Sequence, residues 1–118
     1  LALPPAVDGE RREIGRSAGA LSYYVAGDGA PVLLVHSINA AGSAYEVRPI
    51  FEHLKATRRV YAVDLPGFGF SDRSDRHYDI PLYVAAIHDM LEEIAAENGD
   101  AAVDVLALSL ASEFVARA

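Results

Sequence analysis

The sequence contains no cysteine, so it offers no disulfide framework, no thiolate nucleophile and no sulfur-ligated metal site. That absence does not assign a compartment, because a secreted enzyme can also lack cysteine. Basic residues are few. There is one lysine, Lys55, and the arginines are scattered apart from the pairs Arg11-Arg12 and Arg58-Arg59, within a formal net charge of −7. Neither pair makes a basic stripe, which argues against a nucleic-acid partner, since neutralising phosphates needs clustered Lys and Arg. The acidity serves solubility. No apolar run approaches the roughly 18 residues of a membrane span. The opening stretch LALPPAVDGERR has neither a basic start nor a long apolar core, so no signal peptide is expected and a cytoplasmic location is the default. An initiator methionine is also lacking, so residues upstream of Leu1 are expected to be missing or removed.

What is present is a chain of 118 residues, 52% hydrophobic, with its apolar residues in short blocks separated by Gly, Pro and Asp. The length fits one domain. Glu13–Arg16 and Leu21–Val25 read as two strands of an antiparallel hairpin joined through Ser17-Ala18-Gly19-Ala20. Val32-Leu33-Leu34-Val35 is apolar on both faces, as in a covered parallel strand. A helix is expected from about Glu46 to Lys55, with Pro49 tolerable only near its first turn. Arg59–Asp64 is the next strand. A second helix begins near Pro81, carries Val84, Ile87, Leu91 and Ile94 on one face, and stops at Gly99. Val103–Leu108 is a further strand, followed by Ser109 and the start of a helix, Leu110–Ala118. Helices alternating with strands imply an α/β fold with a mainly parallel sheet. The sequence shows no repeats, and no second domain is expected within it.

The sharpest chemical signal is Leu106-Ala107-Leu108-Ser109-Leu110-Ala111-Ser112. A serine between a buried strand and a helix start can sit on a tight turn, with its hydroxyl clear of the sheet. The small residues Ala107 and Ala111 let strand and helix pass close together. This is the logic of the elbow G-x-S-x-G, written here A-x-S-x-A. A serine that merely caps a helix reads the same way locally. Two other segments add to the pattern. His36-Ser37-Ile38 follows the third strand, where an oxyanion-hole loop belongs in such an architecture, and a tetrahedral oxyanion needs two preorganised N–H donors. The amides of Ile38 and Leu110 form the natural pair if the two loops sit side by side. Asp64-Leu65-Pro66-Gly67-Phe68-Gly69-Phe70-Ser71-Asp72 completes a three-part pattern in chain order.

Together these segments resemble the α/β-hydrolase fold superfamily over nearly the whole chain, from about Glu13 to Ala118. The resemblance implies a three-layer α/β/α sandwich with a mostly parallel sheet. The chain, residues 1–118, would be the N-terminal part of one such domain, cut off after the nucleophile helix begins. It implies Ser109 as nucleophile and Ile38 and Leu110 as oxyanion donors, with His36 and Ser37 in support. Two departures bear on fine geometry. Ser37 stands where members often have glycine, and both elbow glycines are alanine. Neither removes an N–H donor. In the family the triad acid and histidine follow the serine, so the lid and remaining triad residues are expected beyond Ala118.

Other candidates receive plainer readings. The four histidines, at 36, 53, 77 and 88, all precede the serine, and none is expected to be the general base. His53 and His88 fall on helices in solvent or packing roles, and His77 is in a polar loop. Asp64 reads as a turn-stabilising residue before Pro66-Gly67 rather than a triad acid. Asp72 and Asp75 have no partners at metal-ligand spacing. Gly67-Phe68-Gly69 lacks the third glycine and the following helix of a dinucleotide fingerprint. Phe68, Phe70 and Tyr78 are expected to pack the sheet edge.

The expected activity is that of a carboxylesterase-like serine hydrolase acting on a small ester or related acyl substrate through an acyl-enzyme at Ser109, with no metal or organic cofactor. Alternatives are another reaction on the same fold, perhydrolase- or haloperoxidase-like, and a non-catalytic binding or assembly descendant. Dehalogenation is disfavoured, since the resembling enzymes use aspartate where this chain has Ser109. If the residues given were the whole molecule, Val103–Leu108 would be an uncovered apolar edge, covered by a complementary chain or a second copy, and the segment would be inactive.

Overall fold

The computed structural model describes residues 7–16, 18–37, 44–68, 71, 80–108 and 115–116. Two strands, β1 (Glu10–Arg16) and β2 (Gly19–Ala26), pair antiparallel from Glu10↔Val25 to Arg16↔Gly19. The expected hairpin is present but longer, with β1 starting at Glu10. At its tip the Ala18 amide donates to the buried Asp89 carboxylate at 3.0 Å, a contact across 71 positions that no local pattern announces.

β2 turns into β3 (Pro31–Val35) through Gly27, whose φ of +81° is open to glycine at no steric cost. A Cβ there would collide with the carbonyl oxygens of Arg58 and Lys55. After β3 come a 3-10 turn, Ala44–Val47, and α1 (Arg48–Leu54), with Pro49 in the first turn as expected. The helix predicted from about Glu46 to Lys55 is thus split. Ala44 and Val47, three apart, eclipse each other in a 3-10 turn, and both are buried with Phe51.

β4 (Arg59–Asp64), α2 (Ile80–Glu97) and β5 (Asp104–Ala107) complete the elements bounded in the described chain. The buried face of α2 is Tyr83, Ala86, Ile87, Met90 and Ile94, with Val84 and Leu91 half-buried at its margins. Gly99 ends the helix at φ +65°, and the Asp100 amide closes back on the Ala95 carbonyl at 2.7 Å.

The five strands lie in the order β1-β2-β4-β3-β5. β2 runs antiparallel to β4, whereas β3 is parallel to both β4 and β5, so the sheet joins an antiparallel hairpin to a parallel half. Side chains alternate between its faces with period two. Leu33, Val35, Tyr61 and Val63 pack against α2. Val32, Leu34, Val60 and Ala62 pack with Val47 and Phe51 on the side of α1. That makes three layers, α/β/α, and explains why β3 is apolar throughout: each fully buried Val or Leu contributes roughly 1.5–3 kcal/mol.

The amino ends of β4 and β5 carry charge. Glu97, at the end of α2, receives Arg12 at 2.9 Å and Arg59 at 2.8 Å, and Arg58 meets Asp104 at 2.8 Å. Among the described residues β5 pairs with β3 alone and alternates in exposure, leaving Leu106 39% exposed.

Candidate active site

The order of the strands locates a crevice before any side chain is considered. From β3 the chain passes through α1 to β4 on one side, then through α2 to β5 on the other side of β3. Connections that diverge around one strand leave a cleft at the carboxyl ends, where open α/β sheets bind ligands. His36 and Ser37 follow β3 here, Leu65 follows β4 and Leu108 follows β5.

His36 is fully buried. Its Nε2 accepts the Leu65 amide at 3.0 Å, so that nitrogen carries no proton. Its Nδ1 lies 2.7 Å from the Ser37 carbonyl, which can only accept, so Nδ1 carries the hydrogen and the ring is neutral. The ring of Phe68 meets it edge-on, with centroids 5.1 Å apart. Both nitrogens are committed to main-chain groups at the ends of β3 and β4. That arrangement leaves no lone pair for proton abstraction. His53 and His88 are exposed on their helices.

The Pro66-Gly67 turn that follows Asp64 closes through Phe68 N–H to the Leu65 carbonyl at 2.9 Å, with Gly67 at φ +87°, a type II geometry. The Asp64 carboxylate is buried and its Oδ1 accepts the Ala44 amide at 2.8 Å, reaching across to the start of the 3-10 turn, a contact its sequence reading did not include. Ser71 was not singled out by the sequence beyond its place in the motif. Its hydroxyl donates to the Asp64 carbonyl and accepts the Ser22 amide at 2.8 Å, joining two residues that face each other across β2 and β4. Phe68 was expected at the sheet edge; its ring packs on His36 and against the core on the side of α2.

On the far side of β3, the Leu108 amide donates to the Val35 carbonyl at 3.0 Å. That bond closes the Val35–Ala107 pair, the last of the parallel ladder, and holds Leu108 against the end of β3. Ser109, Leu110 and Ile38 lie outside the described residues, as do Phe70, Asp72, Asp75, His77 and Tyr78. The described neighbours bracket them: Ser37 precedes Ile38, and Leu108 precedes Ser109. Among the described residues no group of three His, Cys, Asp or Glu side chains is arranged to hold a metal ion, and no helix is long and apolar enough to cross a membrane.

Residues 32–115 match the profile of the Alpha/beta hydrolase family. The chain is 34% identical over 94 residues to 2-hydroxy-6-oxo-2,4-heptadienoate hydrolase of Pseudomonas putida strain F1, covering 75% of this chain and 34% of that protein. It is 32% identical over 93 residues to 2-hydroxymuconate semialdehyde hydrolase of Pseudomonas putida, covering 75% and 33%. Among solved structures it resembles a serine hydrolase involved in carbazole degradation, with a TM-score of 0.79 and 26% identity over 91% of this chain and 41% of that one. The chain spans about a third of the length of these curated relatives. Since the matched stretch runs from β3 past β5, around the crevice that the strand order creates, sequence and topology agree that the chain belongs to the alpha/beta hydrolase family.

Proposed function

We propose that this chain carries the nucleophile and oxyanion side of a serine hydrolase that acts on a small ester or related carbonyl substrate. The Ser109 hydroxyl attacks the carbonyl carbon, and the pair displaced onto oxygen is held by the amides of Ile38 and Leu110. The hydroxyl proton passes to a histidine that follows the serine in chain order, and leaves with the departing group. Water then repeats the sequence on the acyl-enzyme. The observation that carries the reading is the bond from Leu108 N–H to the Val35 carbonyl, which sets the residue before Ser109 against the strand that leads into His36-Ser37. The His36 ring, with both nitrogens hydrogen-bonded to main chain, agrees with a base supplied from elsewhere. Two relatives named for hydrolysing oxo- and semialdehyde-bearing acids favour a carbonyl-containing substrate.

The test is the intact mass of the full gene product during turnover of p-nitrophenyl acetate. The reading expects a burst of nitrophenolate and an acetyl adduct on the peptide containing Ser109. Turnover with no adduct, or an adduct elsewhere, contradicts it. Absence of any turnover or adduct favours a binding descendant of the fold.

A further inference from the structure

We propose that Asp64 is a positioning residue for the oxyanion side of the site, acting through the main chain that joins β3 to the 3-10 turn. The inference rests on the reading of Ser109 and Ile38 above. That connection leaves β3 through Ser37 and returns at Ala44, and both of its stems are tied to the end of β4. Upstream, His36 donates to the Ser37 carbonyl at 2.7 Å and accepts the amide of Leu65, the residue after Asp64, at 3.0 Å. Downstream, Asp64 Oδ1 takes the Ala44 amide at 2.8 Å. Asp64 is itself anchored, because Ser71 binds its carbonyl and holds the Ser22 amide on β2 at 2.8 Å. His36, Ser37, Asp64, Ser71 and Ser22 are all buried.

The physics favours a positional role. A main-chain donor stabilises an oxyanion only when it is held in place before the reaction, and a donor within a connection owes its position to whatever fixes the two stems. Burying a carboxylate is costly, but its bond to an amide is charge-assisted and about twice as strong as a neutral one. Such a contact suits a group whose task is to hold backbone. It also gives a part to the Asp64–Asp72 stretch, whose role in the three-part sequence pattern was otherwise unassigned.

The experiment compares Asp64→Ala, Asp64→Asn and Ser109→Ala in the full gene product, with p-nitrophenyl acetate as substrate and thermal melting as a check on folding. Asp64→Ala is expected to lower kcat about 10- to 100-fold while KM moves by less than about threefold. Asp64→Asn, which keeps an acceptor oxygen facing Ala44, is expected to restore kcat to within about threefold of the unsubstituted protein. Native-like kcat in Asp64→Ala, or equal impairment in both variants, overturns the proposal. Should Asp64→Ala fail to fold, Asp64→Asn decides through amide exchange at Ala44. If kcat and Ala44 protection keep or lose together, the role stands; if one changes without the other, it falls. Ser109→Ala separates the two inferences. Persistent turnover in that variant defeats the serine reading and this one with it. Background turnover beside a native-like Asp64→Ala defeats the positioning role alone.

Discussion

The two ends of the sheet are built from different materials. At the carboxyl ends of β3 and β4, short buried side chains, His36, Asp64 and Ser71, hydrogen-bond to main-chain groups of their neighbours. At the opposite end, long and partly exposed side chains hold α2 to the strands: Arg12 and Arg59 on Glu97, and Asn98 on the Tyr61 hydroxyl at 2.9 Å. Buried bonds to backbone fix positions tightly and cost much when one partner is lost. Half-exposed ion pairs tolerate loss and contribute little each. One end therefore sets geometry, and the other clamps layers together.

That contrast can be broken at either end. The largest effect is expected from Ser109→Ala, which should cut ester turnover at least about a thousandfold without moving the melting transition, measured on the same preparations. Next is Gly27→Ala at the clamping end, where a Cβ would meet the carbonyls of Arg58 and Lys55 at a left-handed φ. Urea titration should show a loss of about 2–4 kcal/mol, with kcat of the folded fraction unchanged. His36→Leu lies between the two kinds of effect. It leaves the buried Leu65 amide without its acceptor, so a loss of about 1–3 kcal/mol should accompany a fall in kcat. A stability loss with kcat intact would place His36 in the clamp rather than the site.

The smallest effect belongs to Glu97→Gln, expected to cost about 0.5–1 kcal/mol at neutral pH. Burial alone would raise the Glu97 carboxyl, but hydrogen bonds from Arg59 and Tyr61, with the charge of Arg12, hold it below its ordinary 4.5. A folded value below the unfolded one adds stability that is complete above the ordinary range and is lost as pH falls through the folded value. Unfolding curves should therefore show the gap between the unsubstituted protein and the Glu97→Gln variant close as the pH falls below the ordinary carboxylate range. A gap that persists in acid would mean that the Arg12 and Arg59 contacts act through packing rather than charge.

Much of this was legible in the sequence where the signal is local. Val32–Val35 announced a strand covered on both faces, and both core clusters do cover it. Pro49 and Gly99 marked a helix start and a helix stop that the structure keeps. The expected face of α2 is present, with Ile87 and Ile94 buried and Val84 and Leu91 packed at its margin, while Tyr83 and Ala86, whose apolar signals are weak, complete it. What stayed hidden depends on which strands become neighbours. Nothing near Asp64 indicates Ala44, twenty positions earlier, as its partner, and nothing near Ser71 indicates Ser22. The family resemblance supplied the order of the site segments. Only the sheet order shows why β3 and β4 can share a polar clasp, and why β5 ends on the other side of β3.

The central claim is that the carboxyl end of this sheet is an acyl-transfer site built on Ser109. Treatment of the full gene product with a fluorophosphonate, followed by intact mass and peptide mapping, tests it most directly. A single adduct on Ser109, absent from Ser109→Ala, is expected. An unmodified protein, or an adduct that persists in Ser109→Ala, would contradict it.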